Sequence, residues 1–169
     1  MEKVRLEFCI MLAIRPATVN DALLLRTLIS ELAEYERERD QVVITEADLV
    51  RDGFGSQPKF RALIAEWSGE SAGYALFFGY YSTWVGRPGL FLEDLFVRQE
   101  FRGKSIGKSL LAAVAAIALG ENCYGMRWEV LDWNQPAIDF YKSLGATFLD
   151  QWKTALLTGA ALNRVAKVR

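Results

Sequence analysis

The chain has 169 residues, 51% apolar and 12% aromatic, with 20 basic against 21 acidic side chains and a formal net charge of −1. That length suits one domain burying roughly two-thirds of its unfolded surface, and the even charge balance argues against general nucleic-acid binding. There is no histidine, which removes Ser-His-Asp and Cys-His catalysis, imidazole bases and His-ligated zinc; proton transfer falls to Asp, Glu, Tyr, Lys or water, and no metal is expected.

Charges run through Met1–Ile10, so this segment reads as a loose N-terminal extension rather than a signal peptide, with a single domain over 11–169. No stretch approaches the ~20 apolar residues of a membrane span. Cys9 and Cys123 have no metal or redox spacing. They read as small buried apolar residues in a reducing, cytoplasmic setting. A first strand is expected over Leu12–Ile14. Thr18 then caps a helix whose apolar positions Leu25, Leu28, Ile29 and Leu32 carry it to about Glu36. Thr45 caps a shorter helix ended by Gly53. Phe60–Trp67 and Ala72–Tyr80 read as a strand pair joined at Ser68-Gly69-Glu70, followed by a strand over Leu90–Val97. Ile106, Leu110, Leu111, Val114 and Ile117 form the face of a helix stopped by Gly120. A strand over Tyr124–Leu131 comes next, then a helix opened by Asn134 and Pro136 and ending at Gly145. Short strands at Ala146–Leu149 and Trp152–Leu157 complete a mixed α/β domain, its helices packed on a central sheet.

Phe91–Ser109 carries the most chemistry. A strongly apolar run holds two adjacent carboxylates, Glu93 and Asp94, and an Arg/Gly turn and a long helix follow. At such a turn the unpaired amides and the positive end of the helix dipole converge on an anion. The segment Gly103-Lys104-Ser105-Ile106-Gly107-Lys108-Ser109 nearly matches a Walker A motif. That motif needs four residues between its glycines; here there are three, and Arg102 occupies the place of the first glycine. A P-loop nucleotide binder is therefore disfavoured, although an ordinary basic strand-to-helix turn would give the same residues.

Arg102-x-x-Ser105-x-Gly107 resembles the R/Q-x-x-G-x-G/A loop of the GCN5-related N-acetyltransferases, with Ser105 in place of the family's middle glycine. Other words occur in one order: Ile14-Arg15-Pro16-Ala17-Thr18, Leu32-Ala33-Glu34-Tyr35-Glu36, Asp52-Gly53-Phe54-Gly55, Tyr81-Ser82-Thr83-Trp84, Leu92-Glu93-Asp94, Val130-Leu131-Asp132-Trp133-Asn134-Gln135 and Phe140-Tyr141-Lys142 with Gly145-Ala146. Together they resemble the spermidine/spermine N1-acetyltransferase branch, and the Tyr-Ser-Thr-Trp and Leu-Asp-Trp-Asn-Gln words resemble its thialysine Nε-acetyltransferase members. The resemblance runs from about Ile14 to Trp152. It implies the superfamily's fold, a central mixed and mostly antiparallel sheet flanked by helices. It also implies acetyl-CoA as cosubstrate and a homodimer.

Acetyl transfer to a primary amine sets three requirements. The amine, with a pKa of about 10, must lose a proton; the oxyanion needs a donor; the departing thiolate needs a proton or a hydrogen bond. The resemblance gives Glu93 the role of base, through a water, and Asp94 a place in substrate binding. Neighbouring strand residues point to opposite faces, so both serve one pocket only where a bulge or splay reorients one; otherwise one acid is salt-bridged elsewhere. Tyr141 matches the family's proton donor, although its helix position is also that of a core aromatic. Tyrosine's pKa of about 10 against about 8.5 for a thiol makes full transfer uphill by roughly 2 kcal/mol. Tyr141 is thus expected chiefly to hydrogen-bond the thiolate.

By resemblance the main chain of Leu95, Phe96 and Val97 serves the oxyanion and pantetheine arm. The residues of the loop (Arg102, Gly103, Lys104, Ser105, Ile106, Gly107, Lys108) hold the diphosphate, and Asn134 adds a contact, although an asparagine there also reads as a helix cap. Tyr35, Glu36, Trp84, Glu93, Asp94 and Asp150 match or stand near substrate positions. Carboxylates with aromatic walls suit a small cationic amine, while a solvated helix end accounts equally for Glu34-Tyr35-Glu36. Ser82 stands where spermidine-type enzymes tend to carry an acid, which favours a shorter diamine or an amino-acid ε-amine over a long polyamine. The competing class is a non-catalytic module that binds acetyl-CoA or amine, against which the retained Glu93 and Tyr141 speak.

Overall fold

The computed structural model describes residues 11–168 and divides after Glu129 into two compact units. The expected extension over residues 1–10 lies outside the described residues. In the first unit, β1 (Leu12–Pro16), β2 (Arg61–Trp67), β3 (Glu70–Ser82) and β4 (Arg87–Val97) form consecutive antiparallel pairs, and β5 (Met126–Arg127) joins β4 in parallel. The helices α1 (Ala22–Tyr35), α2 (Glu46–Phe54) and α3 (Ile106–Gly120) complete this unit. The second unit contains α4 (Gln135–Ser143) and α5 (Gly159–Val165). A mixed, mostly antiparallel sheet with accompanying helices is the expected fold class.

One face of the sheet builds the core. Ile64 on β2, Tyr74 and Leu76 on β3 and Phe96 on β4 pack with Ala22, Leu25 and Leu28 of α1 and Leu49 of α2. These strand positions fall at every second residue, so a single face is covered. β2 and β3 are joined by Ser68 and Gly69, both at positive φ (52° and 85°), as a two-residue hairpin turn with right-handed strand twist requires. Near the start of β3, Gly73 lies opposite Val97. A Cβ there would sit 2.2 Å from the Phe96 carbonyl, so only glycine permits that approach.

Several boundaries differ from the sequence pattern. A short 3-10 turn (Val19–Asp21) precedes α1; Thr18 donates to Asp21 from its amide at 2.7 Å and its hydroxyl at 3.0 Å. α2 runs through Gly53 and stops at Phe54. α3 includes Gly120, and it is Asn122, at φ 56°, that takes the left-handed conformation beyond the helix. The strand expected over Tyr124–Leu131 shrinks to Met126–Arg127, which meets β4 only at Leu90 and Phe91. Just beyond, β4 carries a bulge, and a bulged strand bends and twists away from a straight neighbour. The strands expected at Ala146–Leu149 and Trp152–Leu157 are absent, and α5 follows them. Leu149, Trp152, Leu156 and Leu157 are exposed: alternation is necessary for a half-buried strand, but pairing requires a covered face that these residues do not have.

Candidate active site

The bulge in β4 decides how the two acids are presented. Across the β3–β4 ladder Leu76 pairs with Asp94 and Phe77 with Leu92, leaving Glu93 as the extra residue. Asp94 therefore keeps its place on the covered face, while Glu93 is released from strict alternation. Asp94 accepts a hydrogen bond of 2.9 Å from the Tyr74 hydroxyl. Burial pushes its carboxyl up to about 6; the Tyr74 hydrogen bond opposes this, and the charges of Glu93 and Glu36 add to it. Glu93 is solvent-reached, yet partial desolvation and then Glu129 hold it above the usual carboxylate range. Glu36, just past the end of α1, is raised by burial and by Glu38. The charges of Glu36 and Glu93 are thus both felt in the titration of Asp94.

Next to these acids β4 offers a free strand edge. β5 leaves β4 after Phe91, so on that side Leu92–Val97, including Leu95, Phe96 and Val97, has no paired strand among the described residues. A turn through Gln99–Phe101 then leads to the loop. Gly103 has φ 76°, and Ser105, immediately before α3, has φ 61° and ψ 12°. Ser105 therefore occupies the left-handed conformation that glycine adopts without cost. Its side chain makes no cap to α3, and the first turn of α3 holds no acid. The first helical backbone hydrogen bond is from the Ser109 amide to the Ser105 carbonyl at 3.0 Å. The amides of Ile106, Gly107 and Lys108 consequently have no carbonyl within the helix to bond.

The basic side chains here are only partly committed. Arg102 donates from Nε to the Val97 carbonyl at 2.9 Å and lays its guanidinium 4.5 Å over the Tyr35 ring, so what it offers an anion is chiefly its main chain. Lys104 donates to the Glu100 carbonyl at 3.1 Å and lies over the Trp67 and Phe101 rings. Lys108 is exposed in the first turn of α3. Sequence reasoning missed the Tyr35–Arg102 stacking and Tyr74, because neither partner is near the other in the chain.

Trp84 is not part of this group. It is 87% exposed at the tip of the β3–β4 hairpin, and six residues of extended chain from Arg87 to Glu93 span about 20 Å. The remaining expected residues belong to the second unit. Asn134 is buried and accepts from the Ala137 amide at 3.3 Å, the helix-cap role. Tyr141 is buried on α4 with its ring 5.2 Å from Phe140. Asp150 is exposed in a turn after α4.

Residues 24–146 match the acetyltransferase (GNAT) family model. The chain belongs to that family. It is 42% identical over 164 residues to the thialysine N-epsilon-acetyltransferase of Sus scrofa, covering 90% of this chain and 96% of that one. It is 39% identical over 140 residues, 79% of this chain and 20% of the other, to the human spermidine/spermine N(1)-acetyltransferase-like protein 1. Among solved structures, an integron cassette protein from V. cholerae superposes with a TM-score of 0.77 at 26% identity, covering 93% and 98% of the two chains. The expected superfamily and branch are borne out, and acetyl transfer to an amine is the function they support. Among the described residues no helix is long and apolar enough to cross a membrane.

Proposed function

We propose that the chain transfers the acetyl group of acetyl-CoA to a primary amine of a small cationic substrate, of the diamine or thialysine/lysine type. The observation that carries the reading is the coincidence, within one unit and among the described residues, of an unpaired β4 edge, an uncapped α3 start and acids lacking a cationic partner. The unpaired edge suits a pantetheine arm lying as an added strand on Leu95, Phe96 and Val97. The amides of Ile106, Gly107 and Lys108 suit a diphosphate, with Gly103 and Ser105 turning the chain toward it, the Arg102 main chain beside it and Lys104 adding positive charge. Asn134 is assigned a further contact.

Acetyl-CoA, when bound, supplies a thioester carbonyl. Glu93, with its titration already raised, accepts the proton that the ammonium must lose before its nitrogen can form the new N–C bond. Tyr141 is assigned the hydrogen bond to the sulfur as the C–S bond breaks. Glu36 and Asp94 hold the substrate's positive charge with Tyr35 as an aromatic wall, and Asp150 is assigned a supporting role. The protein is read as a cytoplasmic homodimer. Trp84 sits at the hairpin tip, about 20 Å of extended β4 away from Glu93, so its assigned substrate contact is read as one made to a second copy.

The 42% identity to an enzyme named for thialysine, together with Ser82, supports an ε-amine over a long polyamine. Calorimetry of the protein with CoA and acetyl-CoA tests the cosubstrate, and thiol release with spermidine, spermine, putrescine, thialysine and lysine tests the amine. A strong spermine preference would overturn the ε-amine reading, and no heat with either cosubstrate form would overturn the whole. Tyr141→Phe is expected to slow turnover at least tenfold, with acetyl-CoA affinity little changed.

A further inference from the structure

Tyr74 is fully buried on β3 within an otherwise apolar core face, between α1, α2 and the sheet. Its ring meets Phe96 edge-on at 6.4 Å between centroids, which fixes where the ring can lie. Phenylalanine would fill that space equally well, and burying a phenol is unfavourable unless the hydroxyl is bonded. The hydroxyl's partner is Asp94 Oδ2, at 2.9 Å. Tyr74 and Asp94 reach each other because Tyr74 pairs with Phe96 and Leu76 with Asp94, so the two lie diagonally on one face.

We propose that Tyr74 is a positioning residue for amine recognition, its hydroxyl clamping one oxygen of Asp94 so that the other receives the substrate's cationic group. The inference rests on the function proposed above and deepens it by naming what orients the substrate carboxylate. A carboxylate at the end of a short side chain rotates freely about its terminal bond. A donor anchored in the core removes that freedom before the amine arrives, so less ordering is required on binding. Oδ2 is held by the Tyr74 hydroxyl, which leaves Oδ1 for the substrate. Among the described residues, the other charges that bear on Asp94 are those of Glu93 and Glu36, both negative. An incoming cation is then the natural counterion. Donation by Tyr74 also favours the ionised form of Asp94 against burial.

The test is Tyr74→Phe in the full chain, alone and with Asp94→Asn. The expected result is a roughly tenfold rise in KM for thialysine at pH 7, the loss of one hydrogen bond to a charged group. The acid limb of kcat/KM should also move to higher pH, while KM for acetyl-CoA and the thermal midpoint stay near wild type. In the Asp94→Asn background the second substitution should add nothing. Unchanged KM and acid limb, a parallel rise in both substrates' KM, or an undiminished effect on top of Asp94→Asn would each overturn the inference. If Tyr74→Phe does not fold, wild-type protein with 13C-labelled Asp carboxyl carbons decides. Thialysine is expected to move the Asp94 titration to lower pH, and no movement overturns the inference. A wild type that releases no thiol with any amine sinks the proposed function and this inference with it; an active wild type with an unaltered Tyr74→Phe sinks this inference alone.

Discussion

The start of α2 and the start of α3 pose the same problem, a first turn of unbonded amides, and they meet it in opposite ways. At α2 the chain closes the end itself. Thr45 accepts from the Asp48 amide at 3.1 Å, its own amide donates back to Asp48 at 3.0 Å, and Glu46 adds a second acid to that turn. At α3 there is no side-chain cap, no acid and a residue in left-handed backbone. The acids divide along the same line. Asp21 is held down to about 2, first by its hydrogen bonds from Arg15, whereas Asp94 is pushed up to about 6 by burial. One region satisfies its polar groups internally and gains stability; the other leaves them open, as the proposed function requires, and gives some stability up, as binding sites commonly do.

The widest gap should appear between Asp94 and Asp21. Because the folded Asp94 titrates above its ordinary 3.8, its contribution is full below that pH and is lost as the pH rises through about 6. The interval corresponds to roughly 3 kcal/mol. Asp94→Asn should therefore be the more stable protein at pH 8, by up to about that amount in urea unfolding, with the difference closing below pH 4. Asp21 titrates below 3.8, so its contribution is present above that value and fades toward pH 2. Asp21→Asn should cost about 2 kcal/mol at pH 7. If both variants shift stability in the same direction at pH 8, the contrast between the regions is broken.

A smaller effect comes from reversing the charge at the α3 start. Lys108→Glu gives that helix the acidic first turn α2 already has, so unfolding free energy should hold or rise by up to ~0.5 kcal/mol. Acetyl-CoA affinity should fall at least tenfold by calorimetry. Thr45→Ala is the mirror image: about 1 kcal/mol of stability lost and acetyl-CoA binding unchanged. Smallest is Ser105→Gly, which removes a left-handed side chain and should add about 0.5–1 kcal/mol in thermal unfolding, with acetyl-CoA bound at least as tightly.

Periodicity located the long elements well. The apolar spacing of α1 and α3 and the Ser68-Gly69 turn are local signals, and each found its element to within a few residues. The failures share a cause. Tyr124–Leu131, Ala146–Leu149 and Trp152–Leu157 have strand-like composition, but a strand exists only where a neighbour accepts its hydrogen bonds, and a neighbour is a tertiary fact. At the site, Glu93 and Asp94 stood out as paired acids on an apolar strand, with two-residue alternation flagging the conflict that a bulge would have to resolve. Tyr74 gave no signal, since a tyrosine in an apolar strand reads as core, and Trp84 in the motif gave no hint of its distance from Glu93.

The sequence by itself determined the function classes that a histidine-free chain excludes, the basic, glycine-containing loop before α3 and the family words along the chain. These depend on residue identity and short spacing, which survive without coordinates. Only the tertiary structure decided that β4 bulges at Glu93, that β5 leaves its edge open and that Asp94 lies beneath a buried phenol. Each of these depends on which strand lies beside which, and the free energy of pairing and burial that settles it belongs to residues far apart in the chain.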